Sequence, residues 1–189
     1  MSKRTVICDI EADGLLSTVT QIWCIVCKDY NTGEIFTWTP DTLHEFSDFV
    51  LTVDQWIGHN FVAYDAKVIK KLLGLKIKPS RITDTLLVSR LQSYSRQGGH
   101  SLAAWGHRLQ YPKLEYKDFS EYSEEMLEYC INDVELTYKV ACYLKLEGKE
   151  LGSERANKIE HYSQYLLEEQ SEYGFALDVR KAHQLFVMF

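Results

Sequence analysis

The sequence predicts an α/β or α+β sandwich, in which strands come first along the chain and helices follow. Short apolar runs of strand composition fill much of the first 60 residues, a strand–helix crossover follows them, and the second half has mainly helical periodicity. At 189 residues, the chain is long enough for one domain with a self-sufficient core. Its 46% of hydrophobic and 25% of charged residues are typical of a globular protein and exclude disordered and collagen-like classes.

Four strands are predicted from composition and turn signals. The first three cover residues 5–10, 21–29 and 34–38, and the polar residues between the second and third favour a tight turn. These three strands should form an antiparallel meander. A fourth, short strand is predicted over residues 55–58 and begins the crossover to the helical half of the chain.

The helical half is predicted from apolar spacing and from capping residues. Asp41 is expected to cap a first helix, Gly74 to end a second, and Ser123 to begin a long one. After the first helix, the predicted helices cover residues 64–73, 83–91, 101–109, 123–146 and 155–172. The polar, glycine-containing stretch 93–99 is predicted to be a mobile loop.

Charge and cysteine content restrict the environment of the protein. A formal net charge of −6 argues against nucleic-acid binding by charge alone, although bound cations can supply local positive charge. Five cysteines without regular spacing favour a reducing compartment. Cys24 and Cys27 lie three apart on a strand, so they should face opposite sides as core thiols. The absence of a leader-like start and of long apolar runs predicts a cytoplasmic protein without membrane contact.

The first candidate motif is the pair Asp9 and Glu11 at the end of the first strand. Residues two apart on a strand share a face, so the two carboxylates should point the same way. Unpaired, they would raise each other's pKa, whereas a divalent cation between them would relieve the repulsion. The alternative is an exposed strand end, with both carboxylates bonded to backbone N–H groups.

The second candidate motif follows the fourth strand. His59 and Asn60 lie in the turn after this strand, where ligands of open α/β sheets gather, and they could donate hydrogen bonds to a substrate. Asp65 begins the next helix and is either a further ligand or simply its N-cap. His59 taken alone has the simpler interpretation of a structural hydrogen-bonding residue.

The third candidate motif lies on the long predicted helix. Tyr129 and Asp133 are four residues apart and therefore share one helix face. They border the apolar stripe of the helix, so an ordinary boundary pair is the alternative. Taken together, the three motifs supply four carboxylates and a phenol. That is the inventory of a site with two metal ions that clamps the attacking and leaving oxygens at phosphorus.

In this order, the three motifs resemble those of 3′–5′ proofreading exonucleases with four acidic residues and a tyrosine, the DEDDy group. The details look like the N-terminal exonuclease domain of family A DNA polymerases from T-odd podophages. Four further stretches support the resemblance, which spans nearly the whole chain: residues 84–90, 100–106, 115–119 and 174–178. The last of them resembles the segment where such polymerases enter their polymerase region.

The resemblance implies a ribonuclease H-like, DnaQ-like fold and a role for each site residue. Asp9, Glu11, Asp65 and Asp133 would bind two divalent metal ions, Mg²⁺ or Mn²⁺. Tyr129 would orient the attacking water, since its ordinary pKa of about 10 makes it a poor base at neutral pH. The implied substrate contacts are Leu15 against the terminal base, with Asn60 and Tyr64 in the same site.

The implied function is a 3′–5′ exodeoxyribonuclease that proofreads single-stranded or frayed DNA 3′ ends for a phage polymerase in the host cytoplasm. Residues 1–152 would form the exonuclease domain, and residues 153–189 a helix and the start of a polymerase region that is otherwise lacking. Two alternatives remain: a free-standing exonuclease of DNA or RNA decay, and a non-catalytic module that binds a polymerase or a DNA end. Asp13, Asp84 and His161 are expected to cap, to bond locally or to face solvent.

Overall fold

A single mixed sheet forms the centre of the computed structural model, which describes residues 3–151 and 154–188. In chain order, its strands are β1 (Thr5–Ala12), β2 (Ile22–Asp29), β3 (Ile35–Trp38), β4 (Gln55–Gly58) and β5 (Ile82–Asp84). The spatial order is β3-β2-β1-β4-β5. The first three strands are antiparallel, which confirms the predicted meander, and β4 and β5 continue the sheet in parallel with β1.

Helices flank both faces of this sheet, as predicted. They are α1 (Phe46–Thr52), α2 (Asp65–Leu73), α3 (Thr85–Gln92), α4 (Leu102–Arg108), α5 (Glu124–Leu151), α6 (Glu154–Tyr173) and α7 (Val179–Val187). Helix α2 ends at Gly74, and the Ser123 hydroxyl accepts a hydrogen bond from the Met126 N–H at the start of α5. Among the described residues, no helix is both long and apolar enough to span a bilayer.

The alternation of side chains along the strands divides the core into two layers. Ile7 and Cys24 face α5 and pack with its Met126 and Val134, whereas Cys27 belongs to the layer beneath α1 and α2. Cys24 and Cys27 therefore lie on opposite faces as buried thiols, as predicted. A third cluster joins α3 and α4 to α5. Burial of this apolar surface is the main favourable term in folding.

Two local predictions are wrong. Residues 83 and 84 belong to β5 rather than to a helix, because Ile82–Asp84 pairs in parallel with β4 and this pairing outweighs helical periodicity. Helix α3 starts at Thr85, with Asp84 as its N-cap. Asp41 caps no helix, because a 3₁₀ turn over Leu43–Glu45 precedes α1 and neither segment has a side-chain cap.

The C-terminal half extends beyond the prediction. Helix α5 continues to Leu151, and α7 was not predicted although the Asp178 carboxylate caps it through the Lys181 N–H. Residues 93–99 form no helix or strand, and Arg96 in this stretch pairs with Glu147 of α5. The predicted domain boundary and the start of the chain fall on residues 152–153 and 1–2, outside the described residues.

Asp84 and His161 connect elements that are distant in the sequence. The Asp84 carboxylate accepts hydrogen bonds from the backbone N–H groups of Asn60 and Val62, at 2.9 and 3.0 Å. The Asp84 N–H in turn donates to Nε2 of His161 on α6, at 2.6 Å. Asp84 caps α3, as expected, but neither residue faces solvent and both also bond to distant elements. Asp13 behaves as expected, since it accepts hydrogen bonds from the nearby Thr20.

We predict that Gly58→Ala destabilises the protein by about 1–3 kcal/mol, because a core site would be overpacked. A Cβ at Gly58 would lie 2.5 Å from the ring of Phe61, which is fully buried. Urea unfolding of the two single variants and the double variant measures this effect. In a Phe61→Leu background the cost of Gly58→Ala should shrink, and a cost independent of residue 61 would contradict the overlap.

Candidate active site

Two carboxylates reach the site from β1. Asp9 and Glu11 lie on the face of β1 that meets α5, where Sγ of Cys130 is 3.7 Å from Oδ2 of Asp9. Potential ligand atoms of Asp9, Glu11 and Cys130 all lie within 4.8 Å of one another. Glu11 is only 9% exposed, so the alternative of an exposed strand end is wrong. The two carboxylates lie close together on one face of β1, as strand periodicity predicts.

A third carboxylate comes from the N-terminus of α2. The Asp65 carboxylate is buried and accepts a hydrogen bond from the backbone N–H of Ile10, at 3.2 Å. Tyr64 occupies the N-cap position of α2 and makes no side-chain cap, so the N-cap interpretation of Asp65 is wrong. Asn60 adopts a left-handed conformation, with a φ of 65°, in the turn that starts α2 beside the end of β4. This tight turn brings Asp65 next to β1.

The fourth carboxylate and the phenol lie on α5. The Asp133 side chain is 4% exposed, and its Oδ2 accepts a hydrogen bond from Nζ of Lys113. The same Nζ lies 4.8 Å from the ring centroid of Tyr129. Tyr129 and Asp133 therefore share a helix face, as their spacing predicts, and this face belongs to the site.

Burial and mutual repulsion keep protons on these carboxylates. Burial, with the charge of Asp133, raises the pKa of Asp9 to about 7. Burial and the charge of Asp9 raise the pKa of Glu11 to about 10. Burial also raises the pKa of both Asp65 and Asp133, and Lys113 opposes the shift at Asp133. The four groups cannot all ionise at neutral pH without additional positive charge.

A divalent cation fits this donor set. Hard cations prefer carboxylate oxygens, and a bound cation reverses the local pKa preferences. Oδ1 of Asp133 is buried and has no hydrogen-bond partner among the described residues. It is therefore a free acceptor inside the fold, available to a cation beside Asp9 and Glu11.

A cleft of about 370 Å³ opens beside Glu11. Its walls include Leu15, which is 75% exposed, Tyr64 and Phe119. The Tyr64 hydroxyl donates to the backbone oxygen of Gly14 at 2.5 Å, which fixes the loop that presents Leu15. Two of the predicted substrate contacts, Leu15 and Tyr64, thus line one cleft next to the carboxylates.

The other two predicted substrate contacts do not line this cleft. Nδ1 of His59 lies 2.9 Å from the Thr85 hydroxyl, and burial lowers the pKa of His59 to about 4, so the ring is neutral. The Asn60 backbone is fixed by Asp84 while the residue is exposed. The contacts of His59 match its structural interpretation better than a substrate contact.

Two residues of the site, Lys113 and Phe119, are not predicted from the sequence motifs. Lys113 and Phe119 come from the segment between α4 and α5, and Phe119 packs 6.3 Å from the Tyr129 ring, centroid to centroid. Lys113 has no helical or strand spacing to either acidic motif, so no local pattern indicates it. Phe119 lies in residues 115–119, one of the stretches that support the family resemblance, and this resemblance is the signal that could have indicated it.

Comparison with known proteins agrees with this geometry. A family model described as 3′–5′ exonuclease, of the DNA polymerase A type, matches residues 9–149. The chain belongs to this exonuclease family. Its members are divalent-metal-dependent hydrolases, in agreement with the acidic donor set. The DNA-directed DNA polymerase of Escherichia phage T7 is 27% identical over 96% of this chain. The chain spans about a third (34%) of the length of that relative.

Solved structures of exonucleases share the fold. Escherichia coli RNase D, an exoribonuclease involved in structured RNA processing, matches with a TM-score of 0.69 at 16% identity, over 89% of this chain and 46% of RNase D. Brucella melitensis NrnC with bound Mg²⁺ matches with a TM-score of 0.69 at 18% identity, over 94% of this chain and 90% of NrnC. These matches confirm the predicted ribonuclease H-like fold, with a five-stranded mixed sheet between helices.

We predict that the metal-free exonuclease loses stability as the pH rises. The pKa of Asp9 is raised from 3.8 to about 7 and that of Glu11 from 4.5 to about 10, so the folded state holds protons that the unfolded chain releases. Stability is therefore present at low pH and is lost as the pH rises through the folded-state values. In EDTA, urea unfolding should show a loss of at least about 2 kcal/mol between about pH 5 and pH 9.

The control for this prediction is the double variant Asp9→Asn, Glu11→Gln. It removes both titrating groups, so its free energy of unfolding should depend less on pH. Saturating Mn²⁺ should also remove the loss in the wild-type protein, because the cation favours ionised carboxylates. Equal slopes in the wild-type protein and the double variant would show that other groups determine the pH dependence.

Proposed function

We propose that this protein is a metal-dependent 3′–5′ exonuclease that removes nucleotides from single-stranded or frayed DNA 3′ ends. The observation that supports this most is the convergence of Asp9 and Glu11 from β1, Asp65 from α2 and Asp133 from α5. A structural role gives no reason to gather three buried carboxylates and the half-buried carboxylate of Asp9, since their repulsion lowers stability.

In this proposal the four carboxylates hold two divalent ions, Mg²⁺ or Mn²⁺. Bound there, the ions would polarise the scissile phosphate and stabilise the attacking and leaving oxygens of an in-line displacement. Asp65 is kept in place by the N–H of Ile10. Asp9 and Glu11 are held by the sheet itself, because β1 pairs with β2 at both positions and with β4 just before them, up to Ile7.

Tyr129 is proposed to orient the attacking water. Burial and the charge of Asp133 raise the pKa of Tyr129 to about 12, and Lys113 acts in the opposite direction. The phenol therefore stays protonated at neutral pH and acts through hydrogen bonds rather than as a base. Phe119 and Tyr116 pack against its ring and restrict its orientation.

The 3′-terminal nucleotides are proposed to enter the cleft beside Glu11. Leu15 and Phe119 offer apolar surface on which bases can pack whatever their sequence, and Tyr64 forms part of the wall. Asn60, which is exposed at the adjacent turn, remains a predicted contact of the substrate, whereas His59 is assigned a structural role. Such contacts suit an acidic protein, since they recognise bases without relying on basic side chains.

We further propose that the protein proofreads for a phage family A polymerase of the T-odd type, with residues 1–152 as the exonuclease domain. The similarity to the phage T7 polymerase supports this assignment. Residues 173–188 would then pack against a polymerase domain or subunit, whereas α6 packs on the exonuclease domain through His161 and Glu168. Large apolar side chains in this segment are exposed, as expected of a surface that another body covers: Tyr173, Phe175, Leu177, Phe186, Val187 and Met188.

A free-standing exonuclease acting in DNA or RNA decay is the second candidate function. It is favoured by the match to NrnC, which this chain covers over 90% of its length. A non-catalytic module that binds a polymerase or a DNA end is disfavoured, because the chain keeps all four carboxylates and Tyr129.

We predict that the purified chain shortens a 5′-labelled single-stranded DNA from its 3′ end when Mg²⁺ or Mn²⁺ is present. Asp9→Ala, Glu11→Ala should lower the rate at least about 1,000-fold, because the loss of metal ligands removes several kcal/mol of transition-state stabilisation. Tyr129→Phe should lower it about 10- to 100-fold. Gel electrophoresis of the products measures all of these rates.

The matched control for the double variant is Asp41→Ala, Glu45→Ala, which removes two exposed carboxylates before α1 and should leave the rate unchanged. EDTA should abolish cleavage. If RNA is shortened as fast as DNA, the result would favour the free-standing enzyme. If the folded, metal-loaded protein cleaves neither substrate, that result would contradict a catalytic role for this chain.

We also predict that Leu15→Ala and Phe119→Ala raise the KM for single-stranded DNA about 10-fold, because each removes a surface against which a base packs. Steady-state kinetics at varied DNA concentration measures the change. Leu51→Ala is the control, since Leu51 is equally apolar and is 83% exposed. It lies on α1, whose end contacts Arg4 just before β1, whereas the cleft lies at the other end of β1. A KM that is unchanged by both site variants would exclude this cleft as the path of the DNA.

A further inference from the structure

Lys113 is a cation placed inside the carboxylate cluster. Its Nζ donates to Oδ2 of Asp133 and lies over the Tyr129 ring, 4.8 Å from the centroid. In the described ranges, 3–151 and 154–188, it is the one basic side chain in an ion pair with any of the four carboxylates of the site. The ammonium thus supplies positive charge where the cluster needs it.

The segment that carries Lys113 is fixed from both sides. The Tyr111 N–H donates to the backbone oxygen of Gly106 on α4, at 2.9 Å, and the Leu114 N–H donates to Oδ1 of Asn132 on α5, at 3.2 Å. A Cβ at Gly106 would lie 2.8 Å from the Tyr111 oxygen and 3.1 Å from the Lys113 nitrogen. Only glycine permits this close approach, so α4 positions the Lys113 backbone.

The titratable groups around this ammonium are mainly acidic. Asp9, Glu11 and Asp133 interact electrostatically with the ammonium or with one another, while Tyr129 is neutral. Burial and the positive charge of Lys113 both lower the pKa of His59, and the His59 ring is neutral. Asp133 has one oxygen on Lys113 and the other without a partner among the described residues. A divalent ion that approaches Asp133 therefore meets a carboxylate that already has a monovalent counter-ion.

We propose that Lys113 is the internal counter-ion of the metal-free site and that it is exchanged for a divalent cation at Asp133. This inference rests on the proposed metal-dependent function, and it assigns to Lys113 the control of metal affinity. The ammonium lowers affinity for the cation at Asp133 by direct repulsion, and it preserves the fold when no cation is bound. Once released from Asp133, the ammonium still has the Tyr129 ring as a partner.

The test compares Mn²⁺ binding without DNA, by titration calorimetry, in the wild-type protein and in Lys113→Met and Lys113→Gln variants. Both variants remove the charge, and Gln keeps a hydrogen-bond donor in case Met fails to fold. Mn²⁺ should bind at least about 10-fold more tightly to either variant. Thermal unfolding in EDTA should begin at a lower temperature in both variants. The increase in unfolding temperature on adding Mn²⁺ should be larger in the variants than in the wild-type protein.

Two controls separate charge exchange from a general structural effect. Lys113→Arg keeps a cation that can pair with Asp133, so its Mn²⁺ affinity should stay close to that of the wild-type protein. Lys139→Gln removes a lysine that lies over the Tyr111 ring at 4.9 Å, outside the carboxylate cluster, and should change neither readout. Structural damage would lower the Mn²⁺ affinity of the charge-removing variants, whereas the exchange predicts that their Mn²⁺ affinity rises.

Unchanged or weaker Mn²⁺ binding by the charge-removing variants would overturn the exchange, even if the wild-type protein is an active exonuclease. Conversely, tighter binding by the variants of a protein that never shortens DNA would support the exchange and overturn the proposed function. If the wild-type protein and the variants all fail to bind Mn²⁺, both proposals are wrong.

Discussion

Four carboxylates repel one another at one end of the sheet, and the elements around them must resist that repulsion. Two of them come from the central strand β1, and one each from α2 and α5, so no single element could relieve the repulsion by a small movement. Burial strengthens the repulsion, because the surroundings polarise less than water does. The fold therefore keeps four carboxylates together that can all ionise only when a cation supplies additional positive charge.

The surrounding elements hold this charge in place. Cross-strand pairing fixes β1, the tight turn after β4 fixes α2, and the apolar stripe of α5 packs on the same face of β1 that presents Asp9 and Glu11. The segment between α4 and α5 then contributes Lys113 against Asp133 and aromatic rings against Tyr129. The position of each functional group thus follows from backbone constraints rather than from contacts among the carboxylates, which oppose the arrangement.

Much of this architecture could be predicted from sequence, because the signals are local. Strand alternation placed Asp9 with Glu11 and separated Cys24 from Cys27, and helical spacing paired Tyr129 with Asp133. The errors arose where distant contacts decide the structure. Strand β5 has three residues and exists through its pairing with β4, and Lys113 meets Asp133 through a loop without periodicity. The link from His161 to Asp84 spans 77 residues and has no local signal.

The four carboxylates are proposed to form one site for divalent cations. A crystal structure of the protein soaked with Mn²⁺, with anomalous scattering recorded for manganese, would show whether they do. We expect anomalous density between the side chains of Asp9 and Glu11, with Asp65 and Asp133 contributing to the same centre. Manganese bound only elsewhere, or a fully soaked crystal with no density among these carboxylates, would contradict it.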